Sequence, residues 1–279
     1  MVNPKLQPLG FYIQKSQGVF MYQYKLDFIN NDLISELENM GLDIIEDSFE
    51  GSTTFDIYTY DNLDNLLKKY GITFLKKSVE NSGWEHYWKK FLKPSVLVEG
   101  ISCYYDENDK ISTAKSIKLI PALAFGTGTH PTTKLAARLT KDVTPGKSFL
   151  DVGCGSGILT ILAVLCGASG WYAFDNDKMA VFNAKNNMEI NNIFSNYLWC
   201  GDISSLRTGF YADIVCANII SSVLLKINTK LLECAKSCII LSGIQTEEME
   251  AFKSMFDFSG LFIENEIHEN GWGALRLCR

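Results

Sequence analysis

The sequence predicts an α/β protein: a doubly wound, mostly parallel sheet of seven strands, preceded by a small α+β domain. Three observations predict it. Residues 148–157 (Ser-Phe-Leu-Asp-Val-Gly-Cys-Gly-Ser-Gly) and the apolar run 158–165 read as a buried strand, a glycine-rich turn and a helix. From Ser148 onward strand and helix patterns alternate, and Gly153, Asp175, Asp202 and Asn218 fall at four successive strand ends. Ligands gather at the carboxyl ends of strands in such sheets. Over residues 19–78 the order is instead β-α-β-β-α-β, the ferredoxin-like pattern.

In chain order, residues 19–29 have the period of a strand, and 31–40 that of a helix stopped by Gly41. Two strands, 42–49 and 53–60, flank a turn at Glu50-Gly51-Ser52. A helix over 61–70, capped by Asp61 and stopped by Gly71, precedes a last strand at 72–79. Residues 83–92 place Trp84 and Trp88 on one face of a short helix closed by Pro94. The apolar stretches 96–105 and 111–120 suggest a hairpin. The resulting division is a small domain at 1–80, a linker helix and hairpin at 81–120, and the α/β domain at 121–279. Pro131 suits the first turn of a helix with His130 near its cap. Helices over 177–191, 220–235 and 246–256 then alternate with strands at 171–174, 196–200, 213–217 and 238–242. Strands at 262–268 and 274–278 close the chain as a hairpin-like pair.

With 279 residues the chain has room for both domains and a proper core. Its net charge of −6 argues against nucleic acid as a direct partner. Residues 1–10 lack a signal-peptide pattern, and the longest apolar run, 158–166, falls short of the roughly 20 residues a membrane span needs. A cytoplasmic monomer without a membrane partner is expected. None of the eight cysteines forms a Cys-x-x-Cys pair, and the three histidines have no ligand spacing, so reduced thiols and no metal site are expected.

Charge is unevenly spread. Residues 1–80 hold 7 Lys+Arg and 12 Asp+Glu, net −5. An ordinary solvated surface explains this, and so does a docking module for a basic partner.

The glycine turn suits a ligand that approaches the backbone closely, although a tight strand–helix turn alone is the plainer reading. Two nucleotide-type ligands compete. The dinucleotide fingerprint needs a glycine where Ile158 stands. The spacing Gly153-x-Gly155-x-Gly157, with Asp151 before it and Asp175 about 20 residues on, resembles motif I of S-adenosylmethionine-dependent methyltransferases. Asp175 suits ribose hydroxyls, and Asp151 suits a cationic ligand better than a diphosphate.

Four runs extend that resemblance: Ala124-Phe125-Gly126-Thr127-Gly128-Thr129-His130-Pro131-Thr132-Thr133, residues 150–157, Ala217-Asn218-Ile219-Ile220 and Leu241-Ser242-Gly243-Ile244. Together with Trp84, Trp88, Lys89, Phe91, Lys93, Pro94 and Gly271-Trp272, they resemble the ribosomal protein L-eleven methyltransferase family (PrmA type). The resemblance implies a class I, Rossmann-like methyltransferase domain behind a ferredoxin-like domain that holds the ribosomal protein. The implied activity is S-adenosyl-L-methionine-dependent methylation of lysine side-chain and N-terminal amines of that basic protein. Thr133, Gly153, Asp175 and Asn218 are the implied cofactor positions, joined by Asp151, Gly155, Phe125 and Asp202. Asp202 resembles the acid that meets the adenine amino group, with turn chemistry as its alternative. Departures at Pro121-Ala122-Leu123 and Trp272-Gly273-Ala274 bear on substrate identity.

A sulfonium methyl is already activated, so the chain must mainly align a neutral amine behind it. Asn218 is the candidate for positioning that amine; it can also contact the cofactor or cap the following helix. Phe125 and Trp272 are apolar walls or core residues, and His130 is a base or a structural cap. Another protein's lysines or a small amine as substrate, or a silent cofactor-binding protein, remain alternatives.

Overall fold

In the computed structural model the described residues are 21–40, 42, 44–49, 52–59, 62–79, 93–120, 126–194 and 197–279. The helix expected over 83–92, Gly41, Asp61, the departure at 121–123 and Phe125 lie outside them. The chain divides into two compact units, Met1–Tyr87 and Trp88–Arg279.

The first unit contains β1 (Met21–Leu26), α1 (Asn31–Asn39), β2 (Ile44–Phe49), β3 (Ser52–Thr59), α2 (Asp64–Lys69) and β4 (Phe74–Val79). Its sheet runs β2-β3-β1-β4 with every pairing antiparallel, which is the ferredoxin-like arrangement. Leu33 and Leu37, one helical turn apart on α1, meet Tyr24, Leu26, Ile57 and Leu67 in its core. The buried Tyr24 ring keeps its phenol satisfied: the hydroxyl donates to Asp64 Oδ1 at 2.7 Å and accepts from the Leu63 amide at 2.9 Å. At the start of α2 the Asp64 amide donates to Asn62 Oδ1 at 2.9 Å. Gly71, at φ +68°, ends that helix as expected.

The second unit opens with a three-stranded sheet, β5 (Ser95–Val98), β6 (Ile101–Tyr104) and β7 (Lys115–Lys118). The expected long hairpin is corrected here. The first stretch folds on itself at Glu99-Gly100, where Gly100 takes φ +79°, and β5 pairs antiparallel with β6. Asp106 then caps a 3₁₀ turn by accepting from the Asn108 amide at 2.9 Å, and the chain crosses over so that β7 runs parallel to β6. Leu97, Ile101, Cys103 and Ile117 are buried in one core with Leu135, Phe149 and Ile158. This small sheet is thus packed into the second unit.

The large sheet runs β10-β9-β8-β11-β12-β14-β13. Its strands are β8 (Ser148–Val152), β9 (Gly170–Asp175), β10 (Leu198–Cys200), β11 (Ala212–Asn218), β12 (Ala235–Gln245), β13 (Phe262–Glu269) and β14 (Trp272–Cys278). The first five are parallel, β14 is antiparallel to β12, and β13 to β14. One face buries α3 (Pro131–Lys141), α4 (Ile158–Leu165) and α5 (Lys178–Ile190); the other buries α6 (Ser221–Cys234) and α7 (Met249–Met255). Strand order reverses between β8 and β11, so a crevice opens above Gly153 and Asn218.

The cysteine expectation needs one correction. Cys238 and Cys278 are direct partners in the β12–β14 ladder and form a disulfide. The pairing was hidden because 40 residues separate them and only the sheet brings them together. The other described cysteines are free thiols. Among the described residues no cluster could hold a metal ion and no helix is long and apolar enough to cross a membrane.

Candidate functional site

Gly153, Gly155 and Gly157 all have positive φ, at +70°, +53° and +77°. The Gly153 and Cys154 amides both donate to the Phe174 carbonyl at 3.0 Å, which ties the loop to the end of β9. A Cβ at Gly153 would stand 2.8 Å from Ile219 Cγ2, so a side chain there would push on the end of β11. Asp175 completes the loop. Its Oδ2 accepts from the Gly155 amide at 2.9 Å and its Oδ1 from the Asp177 amide at 3.0 Å. The next strand end is tied on as well, since the Gly201 amide donates to the Asp175 carbonyl at 2.9 Å.

Asp151 lies one layer below. It is buried and its Oδ2 accepts from the Thr160 hydroxyl at 2.6 Å. Burial pushes its carboxyl up to about 7; Thr160 opposes the shift and the charge of Asp175 adds to it. Asp202, expected at the adenine end, is exposed and caps a 3₁₀ turn by accepting from the Ser204 amide at 2.7 Å. The Ser204 hydroxyl and amide hold its carboxyl below the ordinary range. The geometry at Asp202 is therefore that of the turn.

Across the crevice α3 presents its first turn. His130 caps it, accepting at Nδ1 from the Thr132 amide at 3.3 Å, and burial lowers the imidazole's proton affinity. Trp272 packs edge-on against that ring, with centroids 5.3 Å apart. The Thr132 carbonyl accepts from Ser242 Oγ at 2.9 Å, which joins the helix start to β12. Thr133 is fully buried and accepts at Oγ1 from Asn218 Nδ2 at 3.4 Å. Asn218 Oδ1 has no partner; among the described residues it is the one buried side-chain oxygen or nitrogen left so. Native interiors seldom leave such an atom unpaired, so this one calls for a donor from a ligand.

The structure thus brings Gly153, Gly155, Asp151 and Asp175 together on one side of the crevice, and Thr133 and Asn218 on the other. Sequence reasoning missed Ser156, whose hydroxyl donates to the Gly126 carbonyl at 2.6 Å, and Tyr105, whose hydroxyl donates to the Thr127 carbonyl. It also missed three asparagines at four-residue spacing, Asn183, Asn187 and Asn191, which bond to residues 118–120. Their spacing was the available signal: one polar stripe on a helix packed against a sheet. A groove of about 490 Å³, lined by Lys115, Lys141, Asp142 and Cys166 among others, lies at the C-terminal ends of α3 and α4. That is the end of the sheet where its parallel strands begin, away from the crevice.

A family model described as "Ribosomal protein L11 methyltransferase (PrmA)" matches residues 35–279. Ribosomal protein L11 methyltransferase of Streptococcus uberis is 32% identical over 209 residues, which cover 73% of this chain and 66% of that protein. Its counterpart in Streptococcus pneumoniae is 34% identical over 197 residues, covering 68% and 62%. The chain therefore spans just under two thirds of the length of these curated relatives. Among solved structures, the ribosomal protein L11 methylase of Lactobacillus delbrueckii subsp. bulgaricus superposes with a TM-score of 0.61 at 24% identity. That match covers 67% of this chain and 98% of the other, and the shared feature is the fold.

Proposed function

This chain belongs to the ribosomal protein L11 methyltransferase (PrmA) family, and we propose that it methylates lysine side-chain and N-terminal amines of ribosomal protein L11, using S-adenosyl-L-methionine. The observation that carries the reading is the crevice at the strand-order reversal, with a glycine loop braced by Asp175 facing the unpaired Asn218 Oδ1. The residues fit this cofactor better than a dinucleotide. The Asp175 carboxylate braces the loop through the Gly155 amide, where a diphosphate would be repelled and an ammonium favoured. The buried Ile158 also stands where a dinucleotide loop has its third glycine.

Gly153 and Gly155 give the cofactor access to the loop backbone, and Asp175 would receive the ribose. Each Asp175 oxygen accepts one backbone N–H, and a carboxylate has about four acceptor sites, so two hydroxyls can still be bonded. Thr133 would line the face opposite, while Asp202 keeps its turn-capping role. When bound, the cofactor supplies a methyl group activated on a sulfonium.

This chain's residues would prepare the amine. A lysine amine carries its proton up to a pKa near 10.4, and burial beside Asn218 and Thr133 would favour the neutral form. Asn218 Oδ1 would accept one amine N–H and aim the lone pair, while Thr133 steadies the Asn218 amide. His130 is committed to capping α3, so it serves as structure rather than as a base. Work on a ribosomal protein implies a cytoplasmic setting.

Calorimetric titration with S-adenosylhomocysteine and with NADH, followed by methyl transfer to purified L11 read by mass spectrometry, tests the proposal. The homocysteine analogue is expected to bind and NADH not, with added mass on L11 lysines and the N-terminus. NADH binding alone overturns the cofactor, and methylation of other proteins only overturns the substrate. Asp175→Ala is expected to weaken the analogue about tenfold or more, as the loss of about 1.5–3 kcal/mol of charge-assisted bonding requires.

A further inference from the structure

We propose that Asn187 is a positioning residue that holds the crown of the glycine loop in its ligand-binding conformation, an inference that rests on the cofactor reading above. Asn183 and Asn187 share one face of α5, and Asn191, four residues further at the helix C-cap, continues the row. They pair with the chain leaving β7 as a neighbouring strand would. Asn191 accepts from the Lys118 amide at 3.0 Å and donates to the Lys118 carbonyl at 2.7 Å. Asn187 Oδ1 accepts from the Ile120 amide at 2.7 Å, and Asn183 Nδ2 donates to the Ile120 carbonyl at 3.3 Å. Packing alone would be served by an apolar stripe, because a buried amide is costly unless every bond is made.

Asn187 differs from the other two in reaching the loop. Fully buried, it donates from Nδ2 to the Ser156 carbonyl at 2.9 Å and to Asn183 Oδ1 at 3.2 Å. The Ser156–Gly157 peptide is held at its other end too, since the Gly157 amide donates to the Cys154 carbonyl at 2.8 Å. A planar peptide fixed at both its C=O and its N–H cannot swing. That peptide closes the crown Cys154-Gly155-Ser156, whose Gly155 amide sets the Asp175 carboxylate. Without the Asn187 donor the buried Ser156 carbonyl loses a partner, the crown can rotate, and Asp175 loses the bond that orients it.

The test compares Asn187→Asp, Asn187→Ala and Asn191→Ala in the full-length chain, by calorimetry with S-adenosylhomocysteine and by thermal unfolding. Asn187→Asp keeps an acceptor for the Ile120 amide but places an oxygen against the Ser156 carbonyl. Both Asn187 variants are expected to weaken the analogue at least tenfold at unchanged stoichiometry. Asn191→Ala removes bonds of the same kind without touching Ser156, and is expected to lower the melting temperature with less than a twofold change in Kd. Wild-type affinity in Asn187→Asp, or equal weakening in Asn191→Ala, overturns the inference. Failure of the wild-type chain to bind the analogue overturns the cofactor reading instead. Should the Asn187 variants not fold, amide exchange in the wild type decides: the analogue should slow exchange at Ile120 through Asn187, and unchanged exchange there overturns the coupling.

Discussion

Buried between the glycine loop and Thr160, the Asp151 carboxyl is pushed up to about 7 by loss of water. An unfolded aspartate titrates near 3.9. Between these two values the folded chain keeps a proton that the unfolded chain has lost, so this group's contribution to stability falls as pH rises from about 4 to about 7 and is flat above. Urea unfolding at pH 5, 6, 7 and 8 should show wild type losing up to about 3 kcal/mol relative to Asp151→Asn between pH 5 and 7, and no more above. Parallel curves for the two proteins would contradict it. The sequence marks this acid by its place before the glycines, yet Thr160, nine residues on, comes into reach only through the strand–turn–helix fold. At Asn218 the strand-end position was legible and the unpaired oxygen was not, because pairing depends on what α3 presents. Asn218→Ala is expected to lower methyl transfer tenfold or more, with a smaller change in affinity for S-adenosylhomocysteine. If affinity falls in proportion while turnover holds, Asn218 serves the cofactor and not the amine.

Among the secondary-structure elements, β12 shows what sequence periodicity reads and what it does not. Its apolar run identifies a central strand, but its 11 residues exceed the expected 238–242 because it pairs with β11 on one edge and β14 on the other. Partners decide length, and partners are not periodic. The crossover to β7 and the Cys238–Cys278 bridge escaped the sequence for the same reason. Near its end β12 bends at Gly243, with φ +91°, where an added Cβ would lie 2.4 Å from the Ile219 carbonyl oxygen. Backbone there cannot move aside without shifting β11, so Gly243→Ala should cost more than about 2 kcal/mol by urea unfolding. Gly209→Ala has φ +80° but open space around it, and should cost only about 1 kcal/mol. Equal losses would mean that conformation, and not contact, sets the cost at Gly243. The bridge closes a loop across 40 residues, for which chain entropy gives about 4 kcal/mol. Dithiothreitol should therefore lower the urea midpoint of wild type and leave Cys278→Ser unchanged.

At the scale of the whole molecule, chemistry and charge are separated along the chain. Of the net charge of −6, −5 falls within residues 1–80, while every residue assigned to the crevice lies beyond position 120. Among the described residues the two units also have separate apolar cores: one is drawn from residues 22–74, and the others begin at Leu97. Each core is complete enough to hold its own elements, so removing residues 1–80 should leave the glycine loop, Asp175 and Asn218 in place. We expect the truncated chain to bind S-adenosylhomocysteine within about twofold of wild type, and methylation of L11 to collapse, which is the outcome that recruitment of a basic substrate by the acidic unit requires. Full-length activity at subsaturating L11 should then fall as salt rises, since exposed charges more than about 8–10 Å apart are screened at physiological ionic strength. Retention of the full L11 methylation rate by the truncated chain would remove the docking role. Loss of activity on truncation with no salt dependence in the full-length chain would assign docking to an apolar surface and leave the acidity as ordinary solvated charge.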